Sequence, residues 1–208
     1  VKAVGVMFIT FEGIDGCGKS TQARLLFELL NKGGGAVLTR EPGGWEGGGL
    51  LRGMVLDGGL RHPWSELFLF MLDRTEHAAR VIAPALAEGR HVICERYHDS
   101  TLAYQVWGRG MPFEPLRDMA ALAALPVPDI TLFFKISPET ALARVGKRGK
   151  PDSFEREGLA FMRKIDEGYG ELAKLEPRRW AVIECGGKDP AEVFELVKSV
   201  LAERGVSL

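Results

Sequence analysis

The octapeptide Gly13-Ile14-Asp15-Gly16-Cys17-Gly18-Lys19-Ser20 is the feature that most restricts what this chain can fold into. It follows an apolar run, Met7-Phe8-Ile9-Thr10-Phe11, and precedes Thr21 to Leu30, where apolar residues fall at 25, 26, 29 and 30. Strand, loop and helix in that order are the context in which G-x-x-x-x-G-K-[ST] cradles phosphate. Backbone N–H groups must lie against the phosphates, and glycines permit the approach. A lysine in the first helical turn is unfavourable beside the positive end of the helix dipole, unless an anion lies opposite it. That argues against the plainer reading of a glycine-rich turn with a solvated lysine. Gly13, Ile14, Asp15, Gly16, Cys17, Gly18, Lys19, Ser20 and Thr21 are therefore expected to hold a phosphate chain. Lys19 is expected to reach its outer members and Ser20 to offer its hydroxyl to Mg²⁺.

Strand-like and helix-like periods alternate along the chain, which predicts an α/β three-layer sandwich of the P-loop NTPase class around a five-stranded parallel sheet. The expected strands are Met7 to Phe11, Ala36 to Thr39, His91 to Cys94, Ile130 to Ile136 and Trp180 to Glu184, and the last helix runs from Ala191 to Glu203. No internal repeat or long linker divides residues 1–208, so one domain is expected. Twenty-seven basic residues against 28 acidic ones argue against a nucleic-acid or membrane-surface partner. No apolar run approaches a membrane span, and residues 1–6 are short for a signal peptide. Cys17, Cys94 and Cys185 form no metal or disulfide pattern, so reduced thiols and a cytoplasmic location are expected.

Ligands of open parallel sheets gather at the carboxyl ends of the strands. Here those ends carry the phosphate loop, Arg40-Glu41-Pro42-Gly43-Gly44 and Glu95-Arg96-Tyr97. Lys19, Arg40 and Arg96 are thus expected to converge on one crevice, which suits a ligand bearing several phosphates. Ser65 to His77 reads as a helix too apolar to be exposed, with Phe70 and Arg74 at i, i+4 as a seat for a nucleobase. The plainer reading makes Phe70 a core residue and Arg74 a partner of Glu66 or Asp73. Another helix begins near Ser100, with Asp99 or Ser100 as its N-cap. From Arg144 to Lys150 four of seven residues are cationic, which reads as a solvated face or as a flap over a transferring phosphoryl group.

Phe8 through Gln22, Arg40-Glu41-Pro42-Gly43-Gly44, Leu72-Asp73-Arg74, and Glu95-Arg96-Tyr97 with Ser100 through Gln105 together resemble thymidylate kinase of the bacterial type. The resemblance covers nearly the whole chain. It implies transfer of the γ-phosphoryl group of ATP to dTMP with Mg²⁺, in the synthesis of dTTP, by a homodimer with a small mobile lid at about residues 144–155. It further implies that Phe70 stacks on thymine, that Arg74 and Thr101 contact the base, that Gln105 belongs to the dTMP site, and that Tyr104 crowds the 2′ position of the sugar. Asp15 would meet the 3′-hydroxyl, and Arg96 and Arg40 would hold the acceptor phosphate. Lys19, Arg96, Glu95 and Arg148 would be catalytic, Arg144 would lie over adenine, and Ser20 and Glu95 would hold the metal.

Three positions depart from the family pattern. Glu95 stands where Asp is usual and is expected to keep its role near Mg²⁺. Trp45 stands where Thr is usual, with no role legible in the sequence. The phosphate loop carries no arginine, so the cation over the transferring group is expected from the lid, with Arg148 ahead of Lys147 and Arg144. The alternatives are a P-loop kinase of another small acceptor and a nucleotide-dependent regulatory ATPase. Gly149-Lys150-Pro151-Asp152 lacks the first residue of the guanine-reading pattern N/T-K-x-D, which speaks against a GTPase.

Overall fold

The computed structural model describes residues 5–146 and 152–206. In chain order the elements are β1 (Phe8–Glu12), α1 (Lys19–Leu30), β2 (Ala36–Arg40), α2 (Gly48–Leu56), α3 (Pro63–His77), α4 (Ala83–Ala87), β3 (His91–Glu95), α5 (His98–Thr101), α6 (Phe113–Leu122), β4 (Ile130–Lys135), α7 (Pro138–Val145), α8 (Leu159–Leu175), β5 (Trp180–Glu184) and α9 (Pro190–Glu203). A π-helical stretch, Ala78–Ile82, joins α3 to α4, and another, Leu102–Gly108, continues α5. In the second of these the Arg109 N–H donates to Tyr104 O at 3.0 Å, a five-residue closure.

The five strands form a parallel sheet in the order β2-β3-β1-β4-β5, flanked by helices as the sequence predicts. β1 is buried at every residue and β4 at all but its last, whereas β2 and β5 at the edges are only partly covered. This is why β1 and β4 read as unbroken apolar runs. Phe8, Val92 and Cys94 pack on Ile82 and Leu86, while Ile9, Phe11 and Ile93 belong to the larger cluster with Leu26 and Phe134.

Register sets the site. Phe11 pairs with Glu95 and Glu95 with Arg40, so β2 and β3 end level and β1 runs one residue further. The ladder then runs one step beyond expectation: the Arg96 N–H donates to Phe11 O at 3.0 Å and the Glu41 N–H to Glu95 O at 2.9 Å. Arg40 and Glu95 are therefore the last residues of their strands and not the first of the loops. Two of the loop glycines answer to the chain itself. A Cβ on Gly13 would lie 2.7 Å from Phe134 O, and one on Gly16 would lie 2.5 Å from Ala141 O.

Candidate active site

The phosphate loop leads into α1 through Gly18, an N-cap in the left-handed conformation with no side chain to offer the first-turn N–H groups. Lys19 is buried above the loop, where its Nζ donates to Gly13 O and Ile14 O, each at 3.0 Å, and lies 4.0 Å from Asp15. This excludes the solvated lysine, and it leaves the ammonium resting on loop carbonyls, not extended outward. The Ser20 hydroxyl donates to Glu95 Oε1 at 2.9 Å, so the two residues expected at the metal are neighbours. Among the described residues no group of three or more His, Cys, Asp or Glu could hold a metal ion. One hydroxyl, one carboxylate and an adjoining phosphate cradle still fit Mg²⁺, which commonly binds through one or two carboxylates plus substrate phosphates and waters. Arg144 Nη1 donates to Gly16 O at 3.3 Å, which lays that side chain across the loop. Lys147, Arg148 and most of the basic turn lie outside the described residues.

Beside the loop lies a cavity of about 160 Å³ whose lining includes Asp15, Arg40, Phe70, Arg74, Arg96, Thr101, Tyr104 and Gln105. These are all eight of the residues expected on the acceptor side, gathered from five separate segments. A smaller pocket, lined by Gly16, Gly18, Lys19 and Thr21, shares Asp15, Ser20 and Glu95 with it. The larger cavity also takes in Arg52 from α2, which the sequence reading did not single out. Burial and the nearby Arg40 push the Arg52 guanidinium below its usual pKa, with Arg96 adding to the effect. Such crowding of cations favours an anionic ligand.

Fixed partners hold Arg74, Glu41, Arg96 and Asp15. Arg74 is almost wholly buried: its Nε donates to Glu41 Oε2 at 2.8 Å, Nη1 to Thr101 Oγ1 at 2.8 Å and Nη2 to Tyr97 O at 3.0 Å. Glu41 Oε1 faces His77 Nδ1 at 2.9 Å, and His77 Nε2 meets Thr39 Oγ1 at 2.6 Å. Arg96 Nη2 donates to Asp15 Oδ1 at 2.7 Å, and the Tyr104 hydroxyl donates to Asp15 Oδ2 at 3.1 Å. Burial alone would raise the Asp15 carboxyl, but Arg96 and then Lys19 hold it well below the usual carboxylate range.

The thymidylate kinase family model matches residues 11–196. The chain belongs to the thymidylate kinase family. It is 46% identical over 200 residues to a thymidylate kinase of Synechococcus sp. (strain JA-2-3B'a(2-13)), covering 95% of each chain. It is 45% identical to that of Oleidesulfovibrio alaskensis (strain ATCC BAA-1058 / DSM 17464 / G20), covering 95% of this chain and 98% of the relative. Among solved structures, a thymidylate kinase from Ehrlichia chaffeensis superposes with a TM-score of 0.79 at 34% identity, over 95% of this chain and 99% of that one.

Within this family framework several expectations are corrected. Arg74 pairs with neither Glu66 nor Asp73. Glu41 is its partner, 33 residues away, because the end of β2 and α3 meet at the cavity. Neither Asp99 nor Ser100 caps the helix that carries Thr101. Asp99 receives the Arg179 guanidinium at 2.5 and 2.9 Å, and Ser100 bonds Glu12. The helix over Ser65 to His77 is not wholly covered, since Phe68 and Leu72 are 57% and 49% exposed. Trp45 now has an explanation: its Nε1 donates to Asp73 Oδ1 at 2.9 Å, beside the two bonds from the Gly43 N–H to the same carboxylate, and Arg80 lies over its ring. α2 begins at Gly48, three residues after that tryptophan. Glu12, Asp73 and His77 are all buried here, and no local pattern marks them for burial, because the partners that cover them lie far off in the chain.

Proposed function

We infer that this chain transfers the γ-phosphoryl group of ATP to dTMP, giving ADP and dTDP for dTTP synthesis. The observation that carries this reading is the joining of the two pockets: an acceptor cavity lined by all eight expected side chains meets the phosphate loop at Asp15, Ser20 and Glu95. An oxygen of the dTMP phosphate attacks the γ-phosphorus while the bond to the β-phosphate oxygen of ADP breaks. The acceptor is already ionised, so no strong base is needed, and catalysis is positioning and charge stabilisation.

The donor phosphates lie on Gly13 to Thr21, with Lys19 turning from the loop carbonyls to the β- and γ-oxygens and Arg144 toward adenine. Mg²⁺, held by Ser20 and Glu95 together with phosphate oxygens, would neutralise charge on the transferring group. Arg96 and Arg40 take the acceptor phosphate, with Arg52 beside them. Phe70 stacks on thymine, and Arg74, Thr101 and Gln105 meet the base edge. Tyr104 excludes a ribose 2′-hydroxyl, and Asp15 orients the 3′-hydroxyl. Arg148 supplies the lid cation. The chain acts as one cytoplasmic domain. It pairs as a homodimer through the apolar strip of exposed Phe68, Leu72 and Leu122 with half-buried Met71 and Met119, on α3 and α6.

The test is ADP formation from Mg-ATP with dTMP, dUMP, dCMP, AMP or no acceptor. Turnover is expected to be greatest with dTMP, slow with dUMP and negligible with dCMP or without acceptor. One methyl group is worth about 1–3 kcal/mol, whereas a mismatched hydrogen-bonding edge costs about 10⁴-fold. Comparable rates with dTMP and dCMP would overturn the base-edge roles, and acceptor-independent hydrolysis would restore the regulatory ATPase.

A further inference from the structure

Glu12, the last residue of β1, is fully buried and reaches neither pocket. Its carboxylate is nonetheless well supplied with donors. Oε1 accepts from the Tyr97 N–H at 2.8 Å, and Oε2 accepts from the Ser100 hydroxyl at 2.6 Å and the Tyr169 hydroxyl at 3.1 Å. Those two hydroxyls are also the acceptors of Arg96 Nη1, at 3.2 and 3.1 Å, and lie 2.8 Å from each other. An ionised carboxylate offers only lone pairs and a guanidinium only N–H donors. Each hydroxyl between them must therefore turn its hydrogen to Glu12 and a lone pair to Arg96. Since Nη2 is bound by Asp15, the guanidinium is held at both ends. Its backbone has φ 66°, which an arginine does not favour by itself, so tertiary contacts set where the side chain goes.

We propose that Glu12 is a positioning residue for the phosphoryl transfer: through Ser100 and Tyr169 it aims the Arg96 guanidinium at the acceptor phosphate. This rests on the role given to Arg96 above. Burial raises the Glu12 carboxyl to about 7, with Asp99 adding to the effect, while the Ser100 hydroxyl, Arg96 and the Tyr97 N–H oppose it. The other titratable groups facing it are Cys94 in β3 and Tyr169 in α8, with Asp15 beyond Arg96. Above that pH the carboxylate holds both hydroxyls toward itself. Below it, the acid proton makes Glu12 a donor and the alignment is lost.

The test uses the full chain with Mg-ATP and dTMP at roughly pH 6 to 9. Glu12→Gln is expected to lower kcat/KM for dTMP about 10- to 100-fold, the scale of a hydrogen bond to a charged group. KM for ATP is expected to stay within about twofold, because the donor phosphates rest on backbone N–H groups of the loop and only the side chain of Asp15 joins this network. Ser100→Ala and Tyr169→Phe should each lose less, and the pair together should match Glu12→Gln. They carry the test if Glu12→Gln does not fold. The parent should also show a fall in kcat/KM for dTMP as pH drops through about 7 that Glu12→Gln lacks, apart from a limb near pH 6 that both share from the phosphate of dTMP. A Glu12→Gln enzyme with a lowered melting temperature but parental dTMP kinetics, while Arg96→Lys is impaired, would overturn the inference alone. Unchanged dTMP kinetics in Arg96→Lys would overturn the role of Arg96 and the inference with it.

Discussion

The two halves of this site are built in opposite ways. On the donor side one contiguous octapeptide supplies the phosphate cradle, and Lys19 is satisfied by carbonyls of its own loop. On the acceptor side Arg74 comes from α3, Glu41 follows β2, Thr101 ends α5 and Arg96 follows β3, and the guanidinium groups of Arg74 and Arg96 are each tied to a carboxylate distant in sequence. Backbone N–H groups are aimed by φ and ψ, so a loop that grips phosphate through them needs little outside help. A guanidinium on a flexible stem must be held by other side chains before it can read a ligand, and the price is charge buried in pairs. Damage to the acceptor side should therefore show first in stability, and damage to the donor side first in rate.

The largest effect is expected from Glu41→Gln. Arg74 and His77 both turn to this carboxylate, and Arg74 is 1% exposed. Removing one charge from a buried pair strands the other and costs about 3–5 kcal/mol. Urea unfolding monitored by circular dichroism should show that loss, with the base seat failing alongside. A variant that unfolds at the parental midpoint would show that Arg74 is held by Thr101 and Tyr97 O alone.

Lys19→Met gives the opposite case. Loss of a donor aimed at developing phosphoryl charge should lower kcat about 10²- to 10³-fold, or about 2.7–4 kcal/mol of barrier. The melting temperature should move less than in Glu41→Gln, because the carbonyls that Lys19 leaves belong to a loop at the pocket edge. Single-turnover kinetics and calorimetry on the same two variants would settle this. If Lys19→Met melts as low as Glu41→Gln, the contrast between the halves fails.

The same contrast explains what could be read from the sequence. The phosphate loop was legible because its chemistry is local, and β1 and β4 because strands buried on both faces leave unbroken apolar runs. Strand ends were short by a residue at β2 and β3 because ladder bonds to Glu95 O and Phe11 O prolong the pairing, which no local pattern records. The convergence of Arg40 and Arg96 and the seat formed by Phe70 and Arg74 followed from strand ends and helix spacing. Asp15, Thr101, Tyr104 and Gln105 took their acceptor roles only from resemblance to a family, and the pairings that hold these residues could not be read at all. Glu12 meets Tyr169 157 residues away, and Asp99 meets Arg179 across 80 residues. Asp99 was misread as a cap because local rules offer a capping role for any Asp before a helix, and a tertiary guanidinium outcompeted it. Phe68 and Leu72 misled in another way: composition gives a helix's apolarity but not which face its own chain covers.

The smallest effect sharpens the comparison most, because it falls on Trp45, a residue to which the sequence assigned no role. Asp73 accepts from the Gly43 N–H and from Trp45 Nε1, so α3 grips the loop after β2 one residue before Arg74. Trp45→Phe keeps an aromatic plane for Arg80 but removes the N–H. The loss should be about 1 kcal/mol in chemical unfolding, since Asp73 keeps its backbone donor. Arg40 ends β2 and Glu41 begins the loop that this bond closes, so KM for dTMP should rise by a small factor, about fivefold at most, while KM for ATP stays put. Restoring a donor with Trp45→His should recover part of the loss if the bond to Asp73 is what matters. Equal behaviour of the Phe and His variants would instead assign Trp45 to packing against Gly47 and Gly48, and the acceptor side would owe less to its carboxylates than the contrast requires.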